Sequence, residues 1–381
     1  GRASGRLTHM WRWTLIGVLL AASLVPLAGC GTTPPAADAA SLAASLTAAL
    51  SSGDEAAFSS SFAEAPASRF LASRLWTNLT QFTVTITGED AELRVSTSAP
   101  GDSEPAVDVL TAQWAAGRDD RPLLASLGAA PGSRVPLWLS DDLRVVRAVG
   151  CTLIVPRASA RDLASTCVAA SRRVQDAGLA RLSPTWTRTL VVEVPASAAD
   201  FASLTITDEA GNRGVGALTQ REGDAVTTGA ARVVVNPDSA WSGPLDQVEA
   251  LLAHEGVHHA LADRTPALPL WTTEGLADHV GLPASPGWLA GVEPRLAATF
   301  ADDPATLTMP TDGDFAGDAV TDHAALQSAY DRAWLMVDTL VEHRGRERAL
   351  DDLARLAAGG RPVPESRWLG WARARISVVE R

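Results

Sequence analysis

The strongest chemical signal in the chain is the run His254-Glu255-Gly256-Val257-His258. On a helix, histidines four residues apart fall one turn apart on the same face, so both imidazoles reach a single metal ion. Glu255 projects from the adjacent position, where a carboxylate can take a proton from an activated water. Glu274 follows inside Trp271-Thr272-Thr273-Glu274-Gly275-Leu276-Ala277 and can return on a second helix as a third protein ligand. Two imidazoles and one carboxylate leave a fourth position open. That is the ligand set of a catalytic zinc site, and Zn2+ is the expected cofactor.

These two segments resemble those of the gluzincin peptidases, such as the thermolysin and aminopeptidase-N families. The resemblance implies a zinc metallopeptidase in which His254, His258 and Glu274 hold the metal and Glu255 is general base and acid. It also implies a role for Asp278, four residues after Glu274, in orienting His254. A metal-bound histidine nearly always donates its other N–H to an acceptor; the alternative is a solvated charge near a helix end. Tyr330-Asp331-Arg332-Ala333 resembles the aminopeptidase-N segment whose tyrosine stabilises the tetrahedral oxyanion, and Tyr330 is the only tyrosine in the chain. A tyrosine packing its ring in the core is the alternative, with His323 as substitute donor. His259, His279 and His343 read as surface residues or supports of the ligands.

On the edge strand of that family lies Gly-Ala-Met-Glu-Asn, whose glutamate holds a substrate's free amine. The nearest match here, Gly216-Ala217-Leu218-Thr219-Gln220, lacks the carboxylate. Endopeptidase or oligopeptidase action on a peptide or protein is therefore expected over aminopeptidase action. Over residues from about 150 to 360 the chain resembles the peptidase-MA-like lipoproteins of high-GC Gram-positive bacteria. From a different functional class comes the alternative of a zinc-containing, non-catalytic binding or scaffolding lipoprotein, with the work done by its N-terminal part.

The delivery signal lies at the N-terminus. Arg12 precedes a mostly apolar run, Thr14 to Leu27, shorter than a bilayer span and interrupted by Pro26. Leu27-Ala28-Gly29-Cys30 resembles a bacterial lipobox, which implies a signal peptide over residues 1–30, a lipidated Cys30 and an extracytoplasmic protein anchored to the cell membrane. An ordinary secretory signal is the alternative. Met10 reads as the natural start, with residues 1–9 upstream of it. A formal charge of −12 argues against nucleic acid as a partner. Cys151 and Cys167 remain as an even pair, a disulfide or two buried thiols in an oxidising compartment.

The elements that position this chemistry give an α+β fold. Residues 31–39 read as a tether rich in small residues and proline. Residues 40–147 read as a small domain of helices followed by an antiparallel meander, including Phe82–Thr87, Ala91–Thr97, Ala106–Trp114 and strand around Trp138, Leu143 and Val146. Residues 148–381 read as a gluzincin-like, zincin-type peptidase domain: strand Cys151–Pro156, helix Arg161–Gln175, strand Thr189–Pro195, and a hairpin with Val215–Thr219 as its edge. Asp246-x-x-Glu249 has the form of a capping box for the histidine helix, and Thr272 or Thr273 that of a cap for the next. Residues 285–381 read as an all-α subdomain.

Overall fold

The computed structural model describes residues 36–89, 92–117, 121–159, 163–206, 215–223, 228–238, 243–264, 267–300, 303–315 and 322–379. The signal segment with Met10 and Cys30 lies outside them, as does Arg161. Three helices open the fold, α1 (Ala36–Ser52), α2 (Glu55–Ser59) and α3 (Pro66–Leu79). A four-stranded antiparallel sheet follows: β1 (Thr83–Glu89), β2 (Glu92–Ser98), β3 (Ala106–Ala116) and β4 (Pro122–Ala129). After the short α4 (Leu137–Ser140) come β5 (Leu143–Ala148), β6 (Cys151–Pro156), α5 (Ala164–Asp176), β7 (Leu190–Glu193), α6 (Ala198–Thr205), β8 (Ala217–Glu222) and β9 (Ala230–Val235). The rest is helical: α7 (Leu245–Leu261), α8 (Leu270–Gly281), α9 (Pro286–Phe300), α10 (His323–Arg344), α11 (Arg346–Ala357) and α12 (Glu365–Val379). The fold class is α+β, with an antiparallel sheet first and helices last. Among the described residues no helix is long and apolar enough to cross a membrane.

In the first sheet the alternation is literal. Val84 and Ile86 point inward from β1 between outward threonines, and Leu93 and Val95 do the same from β2. Their inner face packs on Leu42 and Leu46 of α1 and Leu75 and Leu79 of α3. Helix α1 starts at Ala36, inside the stretch read as tether, because Pro34-Pro35 stand just ahead of an alanine-rich run with high helix propensity.

The second sheet runs β5-β6-β7-β9-β8, with β6, β7 and β9 parallel and both edges antiparallel. Residues 143–148 therefore open this sheet and do not close the meander, and Trp138 sits on α4. The three central strands are buried along their whole length, which requires cover on both faces. Alternate residues divide between two cores. Leu153, Val155, Val192, Val233 and Val235 pack with α5 and α7, while Ile154, Val191 and Val234 pack with the helices and sheet of the N-terminal part. The second sheet is thus the middle layer of the molecule. Cys151 on β6 and Cys167 on α5 form a disulfide, their Cα atoms 6.0 Å apart, so helix and strand are joined covalently on the α7 side.

Candidate metal centre

Helix α7 carries the His-Glu-x-x-His run across this middle layer. Its N-terminus differs from the capping box expected: Pro244 holds the cap position and the helix starts at Leu245, two residues too early for Asp246 to cap it. Asp246 instead accepts from the Ser285 hydroxyl at 2.8 Å, and Glu249 pairs with Arg173 of α5, so both acids tie α7 to neighbours. Helix α8 likewise opens at Leu270 behind Pro269, ahead of either threonine. Thr272 and Thr273 donate back to the Pro269 carbonyl.

Two glycines let the helices approach closely enough to assemble the site. A Cβ on Gly281 would stand 2.6 Å from the Ala250 carbonyl oxygen of α7, and one on Gly275 would stand 2.3 Å from the Ala333 carbonyl oxygen of α10. Helix α8 is therefore wedged between α7 and α10, with Glu274 on its inner face. His279 Nδ1, 2.7 Å from Asp338 Oδ1, adds a polar tie between α8 and α10. Arg295 of α9 makes two 2.7 Å hydrogen bonds to Asp331, fixing α10 beside Tyr330.

The three expected ligand atoms meet. His254 Nε2 lies 3.2 Å from His258 Nε2 and 3.3 Å from Glu274 Oε2, and His258 Nε2 lies 3.4 Å from that same oxygen. A regular tetrahedron with such edges has its centre about 2.0 Å from each corner, the length of a Zn–N or Zn–O bond. Among the described residues this is the group of His, Cys, Asp and Glu side chains whose ligand atoms converge in this way. His254 Nδ1 lies 2.8 Å from Asp278 Oδ1, so its N–H donates there while Nε2 faces the other two expected ligands. Asp278 is thus no solvated helix-end charge.

His254, Glu255 and Glu274 are 2%, 3% and 4% exposed. Burial disfavours the His254 imidazolium, but hydrogen bonds and charge from Asp278 and Glu274 prevail and hold its pKa up to about 10. Burial would raise Glu274, yet the two histidines hold it down to about 2. Glu274 and Asp278 therefore make the cluster a site that calls for positive charge, which fits a divalent cation.

Glu255 lies beside the triad, and Thr219 of β8 bonds it: Thr219 Oγ1 is 2.7 Å from Glu255 Oε2 and 3.0 Å from its backbone oxygen. Tyr330 is 8% exposed, its ring edge-on to Phe315 at 5.1 Å. Burial, with the charges of Glu274, Asp278 and Glu255, pushes its phenol well above the ordinary value, so the hydroxyl keeps its proton as a donor.

The other histidines separate. His323 is exposed at the first turn of α10, seven residues before Tyr330. His343 stacks on Trp371 at 4.4 Å, away from the triad on α10 and α12. His259 is a buried residue and not a surface one; it bonds the Ala231 backbone, and burial lowers it to about 4. Thr219 escaped the sequence reading, although it sits in the quoted segment Gly216–Gln220: that segment was read for the carboxylate it lacks. Compared with family models and with curated proteins, the chain matches none.

Proposed function

We propose that the protein is a zinc-dependent peptidase that hydrolyses internal bonds of peptides or proteins, working outside the cytoplasm on a lipid anchor at Cys30. The observation that carries this reading is the mutual spacing of His254 Nε2, His258 Nε2 and Glu274 Oε2, which suits one tetrahedral ion with a position to spare. Bound there, Zn2+ would supply the Lewis acidity that makes water a nucleophile near neutral pH and polarises the scissile carbonyl.

The remaining steps belong to the chain. Glu255, next to the ligands and acceptor-only when ionised, takes the proton of the attacking water and returns it to the departing amine. Tyr330, protonated and buried, donates to the oxygen on which charge develops. Asp278 keeps His254 in the tautomer that binds metal. β8 is an edge strand, and an extended peptide can add to it by main-chain hydrogen bonds. The one carboxylate of Ala217–Glu222, Glu222, is already paired with Arg134 and Arg232, and Thr219 stands beside Glu255 where a carboxylate would be needed to hold a free amine, which favours internal cleavage. The lipid anchor rests on Leu27-Ala28-Gly29-Cys30, outside the described residues.

The test is metal analysis of the purified protein together with hydrolysis of a peptide library by the wild type and Glu255→Gln. Stoichiometric zinc with activity lost in Glu255→Gln is the expected result. Zinc without turnover in the wild type would favour the binding-lipoprotein reading, and no zinc would end both.

A further inference from the structure

Thr219 occupies a position that joins the open edge of the sheet to the proposed base. The ladder with β9 pairs Leu218 with Val234, Gln220 with Arg232 and Glu222 with Ala230. The bond from the Asn236 N–H to the Gly216 oxygen, 2.9 Å, sets its phase, so the even-numbered residues exchange hydrogen bonds with β9. The backbone N–H and C=O of Ala217, Thr219 and Arg221 therefore turn toward the open edge. The Thr219 side chain leaves the sheet toward α7, and its one hydroxyl proton has the Glu255 carboxylate at 2.7 Å as its nearer acceptor. Among the described residues no other side chain hydrogen-bonds that carboxylate.

We infer that Thr219 is a positioning residue, tying main-chain pairing of an extended peptide at the edge of β8 to the orientation of the Glu255 carboxylate. The inference rests on the peptidase reading above. A peptide paired at Thr219 lies in register with the base that the same residue holds. Because the peptide meets the backbone of Thr219 and the base meets its hydroxyl, removing the hydroxyl lowers kcat and leaves KM nearly unchanged. Valine keeps the branched shape and the strand preference of threonine, and serine keeps the hydroxyl.

The experiment is a double-mutant cycle on the mature chain with Thr219→Val, Glu255→Gln and the pair, plus Thr219→Ser. In the zinc-loaded protein Thr219→Val is expected to lower kcat roughly tenfold, the size of one lost charge-assisted hydrogen bond, with KM and zinc affinity within about twofold of wild type. Thr219→Ser restores most of kcat, and Thr219→Val adds no further loss to Glu255→Gln. In the zinc-free protein the urea midpoints of the four forms are expected to be non-additive, which reads the contact without any turnover. A wild-type kcat in Thr219→Val, an equal loss on the Glu255→Gln background, or a fall in zinc affinity overturns the positioning role. Additive midpoints overturn the contact itself. A wild type that cleaves no peptide overturns the peptidase reading and the positioning role together, while non-additive midpoints would still keep the contact.

Discussion

Under the proposed zinc reading, Asp278 would shape a ligand without holding the metal itself. Its Oδ1 accepts from His254 Nδ1 at 2.8 Å, and its charge helps hold a positive group at the site. Asp278→Asn keeps the size and removes the charge, so zinc affinity should fall by about 10- to 100-fold, read by competition with a chromogenic chelator. Unchanged affinity would reduce Asp278 to a bystander. The two histidines were legible in the sequence because helix geometry converts a spacing of four into a shared face, and Glu274 was marked by the segment Trp271–Ala277 around it. Asp278 was legible through the resemblance of its segment to that of the gluzincin peptidases, which carries an acid one turn beyond the glutamate. Thr219 was not: its contact with Glu255 joins an edge strand to a helix 36 residues away, and nothing local in Ala217–Glu222 encodes it.

At the scale of elements, the site depends on how closely α8 lies between α7 and α10. Gly275 is the sharpest expression of this, since a methyl there would meet the backbone of Ala333 and no flexible side chain could yield. Gly275→Ala should cost about 1–3 kcal/mol by overpacking. It should also weaken zinc binding, because the displaced segment carries Glu274. Gly128→Ala, where a Cβ meets open space, is the control. Urea midpoints and zinc titrations of the two variants check this, and equal behaviour would show that α8 has room to move. The helices after Gly281 were legible as an all-α stretch because long amphipathic periodicity survives tertiary context. The starts of α7 and α8 were not. Proline at the cap positions of α7 and α8 moved both starts ahead of the residues that looked like caps, and freed Asp246 and Thr272 for other partners. β5 was assigned to the wrong sheet because alternation marks a strand without naming its neighbour.

For the whole molecule, the telling feature is a buried ionic network between the two sheets. Arg232 of β9 bonds Glu193 of β7 at 2.7 Å, Glu222 of β8 at 3.0 Å and Asp102 of the β2–β3 turn at 2.7 Å. Arg134 bonds Glu222 and Asp108 of β3, each at 2.6 Å, and Trp138 donates to Asp108. Two guanidiniums thus face four carboxylates. Burial and the neighbouring Glu222 charge raise Glu193 from 4.5 to about 8, against the pull of both arginines, while Glu222 moves the opposite way. Of the two, Glu193 is therefore the one that favours its proton. A carboxyl raised in the fold contributes stability in full below its ordinary pKa and loses it as pH rises through about 8. Between pH 5 and 8 the wild type should therefore lose stability relative to Glu193→Gln, which keeps an acceptor for Arg232 and has no proton to lose. Denaturation midpoints at several pH values check this; parallel profiles would show that Glu193 titrates normally. An arginine inside Ala231–Val235 was visible in the sequence as a charge in an apolar strand, but its partners come from both halves of the chain.

The two-faced cover of the second sheet also bears on latency. Proteases held silent by an N-terminal segment are switched on when it is cut away. Here such a cut would strip Ile154, Val191 and Val234 of their packing and leave Arg232 without Asp102. The strands that would be laid bare are the same ones that carry α7 on their other face. Residues 40–142 are therefore part of the fold that carries α7, and cutting them away would unmake the sheet beneath the site.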